Sequence, residues 1–143
     1  MKILLAFLFF IATTPVQWLI NFDEAKIEAK QEHKMILLNF SGSDWCGPCI
    51  KMKKEVFESE AFNTIASKRL ILVRADFPRA KKNQLSKEQT KHNEALAEKY
   101  DPLGKFPFTV LLDPNGKVIR EWDGYIFSSQ DKFIVDLDRT LGK

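Results

Sequence analysis

The two cysteines of this 143-residue chain, Cys46 and Cys49, are separated only by Gly47 and Pro48, and Trp45 precedes them directly. Two sulfurs at that spacing can cycle between dithiol and disulfide and carry two electrons per turn. A cysteine attacks as thiolate, and a thiolate at a helix N-terminus is stabilised by unpaired backbone N–H groups and by the positive end of the helix dipole. The residues after Cys46 read as such a helix. Ile50, Met52, Val56 and Phe57 supply apolar positions among Lys51, Lys53, Lys54 and Glu55, and Pro48 falls in the first turn, where an N–H has no partner to lose. Cys46 is therefore the expected attacking thiol, and Cys49 the thiol that resolves the mixed disulfide. Two other uses of the pair stand beside this one. A purely structural bridge would close a very short loop and remove little entropy from the unfolded chain. A structural zinc site needs four ligands, and neither His33 nor His92 has companion spacing.

Chemistry of this kind needs the motif held at a strand-to-helix junction, and the flanking sequence supplies one. Met35 to Phe40 is a short apolar run, interrupted only by Asn39, that suits a strand buried on both faces, and Ser41-Gly42-Ser43-Asp44 breaks it as a loop. Upstream, Asn21 and Glu24 form a capping box that opens a helix over residues 22–32, with Phe22, Ala25, Ile27 and Ala29 as its apolar stripe. Downstream, Ser59, Ala61, Phe62, Ile65 and Ala66 continue the helix or form a second one to Lys68, and residues 70–75 read as another buried strand. Strand, helix and strand without a hairpin signal imply a parallel crossover.

A basic loop from Pro78 to Asn83 carries Arg79, Lys81 and Lys82, and reads either as solvated surface or as a docking site for an acidic partner. Ser86 and Gln89 cap a polar helix that runs to Tyr100, where Asp101-Pro102-Leu103-Gly104 stops it. Phe108–Leu112 and Lys117–Trp122 flank Asp113-Pro114-Asn115-Gly116, whose Asn-Gly step signals a tight hairpin. A last helix spans Ser129 to Leu141, with Phe133, Leu137 and Leu141 on one stripe. The sum is an α/β domain: a mixed sheet with a parallel βαβ half and an antiparallel hairpin half, and helices on both faces.

The length suits one domain, and a hydrophobic content of 45% is enough for one core. Lys2 followed by the apolar run Ile3 to Ala12 has the layout of a secretory signal peptide, shorter than the ~20 residues that cross a bilayer. No A-x-A site precedes Gln17, so cleavage is expected between Ala12 and Gln17, giving a leader over 1–16 and a domain over 17–143; an uncleaved membrane anchor or a buried N-terminal segment is the alternative. Either way the domain is expected to be exported, to a periplasmic or other extracytoplasmic space. A net charge of +3 is no polyelectrolyte, so no nucleic-acid partner is expected.

The pentapeptide Trp45-Cys46-Gly47-Pro48-Cys49, after a strand and before a helix in this element order, resembles the thioredoxin superfamily over roughly Phe22 to Leu141. The longer stretch from Asn39 to Cys46 is more similar to exported thioredoxin-like proteins, including the periplasmic reductant domains of thiol:disulfide interchange systems, than to cytosolic thioredoxin. The resemblance implies a thioredoxin fold with no cofactor or metal beyond the redox-active Cys46–Cys49 disulfide. It implies reduction of disulfides in extracytoplasmic proteins and re-reduction by a membrane thiol:disulfide electron donor; a monomer is expected, though the sequence itself carries no signal of oligomeric state. An oxidase or isomerase is the alternative within the same chemistry, and a non-catalytic binding or chaperone module the alternative outside it.

The resemblance also implies a cis-proline at Pro107, with Phe106 offering backbone hydrogen bonds to a bound peptide and Trp45, Phe106 and Pro107 forming an apolar landing surface. The Gly-Pro between the cysteines implies a potential nearer the ~−270 mV of thioredoxin than the ~−120 mV of the oxidant DsbA. Two departures accompany these expectations. Asn39 falls where the family carries a buried acid that deprotonates the resolving cysteine, and an amide takes no proton at neutral pH; Asp44 is then the nearest acidic candidate in sequence. The other is the extra basic length between Phe77 and Leu85, a candidate selector of partners.

Overall fold

The apolar run ahead of the cysteines forms β2 (Met35–Ser41), in which every residue after Met35 is buried. With no polar face to offer solvent, such a strand belongs in the middle of a sheet covered on both sides. In the computed structural model, which describes residues 16–125 and 130–142, β2 is central. β3 (Leu70–Asp76) pairs with it in parallel, and β4 (Phe108–Leu112) pairs antiparallel on its other side. A two-residue strand, β1 (Trp18–Leu19), adds in parallel to β3, and β5 (Val118–Asp123) adds antiparallel to β4. The order is β1-β3-β2-β4-β5. The expected parallel and antiparallel halves are present, and β1 is an addition that a two-residue stretch gives no periodicity to reveal.

Alternate side chains of β2 enter two core layers. Ile36, Leu38 and Phe40 pack with α1 (Phe22–Glu32) and α4 (Lys87–Tyr100) through Phe22, Ala25, Ala29, Leu96 and Tyr100. Leu37 faces α2 (Gly47–Met52), α3 (Glu60–Arg69) and α5 (Gln130–Leu141) through Met52, Phe62, Ala66, Phe133 and Leu137. The N-cap half of each expected box forms, Asn21 Oδ1 accepting the N–H groups of Asp23 and Glu24 and Ser86 Oγ that of Gln89, whereas the Gln89 side chain donates to the Ile20 carbonyl and Asn93 Oδ1 rather than closing its box. The α1 stripe is narrower than expected. Phe22, Ala25 and Ala29 follow helical spacing and are buried, whereas Ile27 lies off that row and is 58% exposed.

After the cysteines the helix is divided rather than continuous. A π-helical turn, Lys53–Phe57, follows α2, and Ser59 then caps α3 by accepting the N–H of Phe62. Val56 and Phe57, neighbours in sequence, are both buried there. The hairpin forms with Gly116 at φ +87 and with Asp113 Oδ1 accepting the N–H groups of Asn115 and Lys117, so β5 starts at Val118. Of the expected leader only Val16 lies among the described residues, and the expected helix start at Ser129 lies outside them. Among the described residues no helix is long and apolar enough to cross a membrane.

Candidate active site

At the end of β2 the chain turns through residues 42–44, and the carbonyl of Gly42 accepts the N–H groups of Trp45 (3.2 Å) and Cys46 (2.9 Å). Cys46 has extended backbone angles and caps α2, its Sγ accepting the N–H of Cys49 at 3.3 Å. The two cysteines are joined in a disulfide with Cα atoms 5.2 Å apart, and both are buried. When the bridge opens, the same N–H and the start of the helix lie at the Cys46 sulfur, the arrangement that favours thiolate over thiol. Pro48 sits in the first turn, and Gly47 and Pro48 are exposed.

Trp45 is fixed from several sides. Its ring crosses Gly42, where an added Cβ would lie 2.3 Å from indole Cε2, and its Nε1–H donates to the carbonyl of Phe77 at 2.7 Å. The ring of Phe106 meets it edge-on at 5.4 Å, and Phe77 meets Phe106 at 5.5 Å. The Phe106-Pro107 peptide bond is cis, and Pro107 is buried at the start of β4 while Phe106 stays partly exposed. Trp45 and Phe106, named from the sequence, therefore touch, and Phe77 joins them. Phe77 carries no sequence signal beyond its place at the end of a strand.

Asn39 lies on β2 opposite Thr109 of β4 and is 2% exposed. Its Nδ2 donates to Thr109 Oγ1 at 3.0 Å and reaches the Phe108 carbonyl at 3.5 Å. It thus acts as a donor between two strands. Asp44 is engaged differently from the proton acceptor that sequence proximity suggested. Its carboxylate accepts the backbone N–H groups of Arg79 and Ala80 and the Nδ2 of Asn83, each at 2.9 Å. Those bonds, the one from Arg79 foremost, hold it below the usual carboxylate range. A carboxylate so occupied is a poor base, and Asp44 ties the 79–83 loop to the motif instead.

A thioredoxin-like domain model matches residues 22–138. The chain belongs to the thioredoxin-like family. Among curated relatives, this thioredoxin-like protein is 41% identical over 107 residues to the disulfide bond reductase DsbH of Chlamydia pneumoniae, covering 75% of this chain and 62% of that protein. It is 31% identical over 97 residues to the thioredoxin-related protein DsbJ of Chlamydia pneumoniae, covering 68% of this chain and 27% of that one. The chain thus spans less than two thirds of the length of either. A solved DsbH oxidoreductase superposes with a TM-score of 0.78 at 31% identity, over 99% of this chain and 95% of that chain. The oxidised C-terminal domain of Neisseria meningitidis DsbD superposes with a TM-score of 0.58 at 19% identity, over 83% and 91% of the two chains, a likeness of fold. The mixed five-stranded sheet with helices on both faces is the thioredoxin fold.

Proposed function

We propose that this thioredoxin-like protein is an extracytoplasmic disulfide reductase whose Cys46–Cys49 pair passes two electrons to disulfides in other proteins. The observation that carries the reading is the Cys46–Cys49 disulfide capping α2 beside the Trp45–Phe106 surface. The 41% identity to a disulfide bond reductase supports the direction, and the sequence layout of residues 2–12 supports export.

In the reaction, the Cys46 thiolate attacks one sulfur of the substrate disulfide. A Cys46–substrate mixed disulfide forms, and the other substrate sulfur leaves as a thiolate that takes a proton from solvent. Cys49, deprotonated in turn, attacks Cys46 Sγ; the Cys46–Cys49 bond forms and the second substrate thiolate leaves. The substrate is reduced by two electrons, and the protein is left oxidised. A membrane-held dithiol donor of the thiol:disulfide interchange type would return it to the dithiol form. Asn39 offers no proton acceptor and Asp44 is engaged by the loop, so neither takes the proton that Cys49 gives up.

Reduction of insulin tests the reading: wild type should turn over, and Cys46→Ser should be inactive. Cys49→Ser should accumulate mixed disulfides through Cys46, and accumulation through Cys49 in Cys46→Ser instead would reverse the assignment. Equilibration with glutathione should give a potential near the ~−270 mV of thioredoxin, whereas a value above about −150 mV would mark an oxidant.

A further inference from the structure

We propose that the loop carrying Arg79, Lys81 and Lys82 recognises an acidic segment flanking the disulfide of a protein substrate; this rests on the reductase reading and names the substrate chemistry it favours. The first observation is that the loop is fixed to the motif rather than free beside it. The carbonyl of Ser41 accepts the N–H of Phe77, and Asp76 accepts both the N–H and the hydroxyl of Ser43. Trp45 donates to Phe77, and Asp44 holds Arg79, Ala80 and Asn83. Every one of these partners in the motif loop lies within five residues of Cys46, so the backbone that carries the basic side chains is held beside the motif.

The second observation is the charge left over. Of the other basic residues around the motif, Lys51 pairs with Glu55, Lys53 with Glu58 and Lys105 with Asp123, while Lys54 is exposed and, among the described residues, in no ion pair. Arg79, Lys81 and Lys82 are exposed, and among the described residues none of them is in an ion pair. The two carboxylates that tie the loop to the motif, Asp44 and Asp76, are turned onto N–H, amide and hydroxyl donors of the loops they join. The cations therefore face solvent together.

The third observation is the placement of Arg79. Its guanidinium lies 3.7 Å over the ring of Trp45, the residue adjoining the attacking cysteine. Stacking of this kind holds the planar group in place and leaves its N–H edge free to take a carboxylate in two parallel hydrogen bonds. Trp45 adjoins Cys46 in the chain, so a substrate strand that leaves Cys46 across Trp45 passes that edge within a few residues of its own cysteine. Beyond it stand Lys81 and Lys82, whose charge acts on the encounter more than on the final fit.

The test uses two disulfide-linked peptides identical except for acidic or basic residues at those flanking positions, with the oxidation of reduced full-length protein followed by stopped flow. Wild type should react about tenfold faster with the acidic peptide at low ionic strength, and the difference should shrink to about twofold near ~0.5 M salt. Lys81→Glu/Lys82→Glu, at exposed positions, should reverse the preference, and Arg79→Gln should reduce it. Equal rates for the two peptides with wild type would overturn this proposal while leaving the reductase reading intact. Failure to react with either peptide or with insulin would overturn both. Equal peptide rates together with binding to phosphatidylglycerol vesicles that is lost in the Lys81/Lys82 variant would assign the loop to a lipid surface instead.

Discussion

Trp45 shows how one side chain depends on the absence of another. Its indole lies where a Cβ on Gly42 would intrude to 2.3 Å, so any larger residue there must displace the ring, the hydrogen bond to Phe77 and the stack with Arg79. Gly42→Ala should destabilise the fold by about 1–3 kcal/mol, the usual cost of overpacking, read from urea melts. It should also slow insulin reduction with Cys46 and Cys49 unchanged. The cysteines and Trp45 were legible in the sequence because adjacency alone brings them together. Gly42 was not, because its role appears only when a ring three residues ahead folds back over it. Asn39 was legible as the polar interruption of an apolar run; its partner Thr109, 70 residues away, required the strand register.

The elements themselves were mostly written in local pattern. Caps at Asn21 and Ser86, the buried runs of β2 and β3 and the Asn-Gly hairpin all carry signals spanning a few residues. The π-helical turn at Lys53–Phe57 and the narrow stripe of α1 escaped, since both depend on what the helix packs against. The tie between the motif and the basic loop escaped for the same reason: Asp44 meets its partners 35 to 39 residues away. That tie has a defined pH response. A carboxylate whose pKa is lowered in the folded protein contributes its bonds above the ordinary carboxylate range, and they are lost as pH falls through the lowered value. NMR of the Arg79 and Ala80 amides should show constant shifts at neutral pH and a joint change only below the ordinary aspartate pKa. Asp44→Ala should produce that changed state at neutral pH.

Across the whole molecule, the sheet has two edges that are treated differently. β5 is exposed but carries Arg120, Glu121 and Asp123, charges that discourage pairing with another chain. The other side ends in only two residues, β1, held by backbone pairing to β3, by Trp18 against Phe57 at 4.9 Å and by the Arg74 guanidinium 4.2 Å over the Trp18 ring. Removing residues up to Ile20 should lower stability by about 2–4 kcal/mol, as for loss of a large packed side chain. It should also expose the β3 edge, so that light scattering detects self-association. A leader cut anywhere from Ala12 to Gln17 would leave β1 whole.

The direction of β1 also orients the molecule. It runs parallel to β3, which in turn runs parallel to β2, the strand that delivers the chain to Cys46. Val16 therefore enters at the pole where β2 and β3 begin, beside Glu32, Lys34 and Leu70 around a cavity of about 300 Å³. The sulfurs sit at the opposite pole. Any tether carried on the residues before Val16 would join the domain at the pole opposite its sulfurs, as a line joins the foot of a buoy.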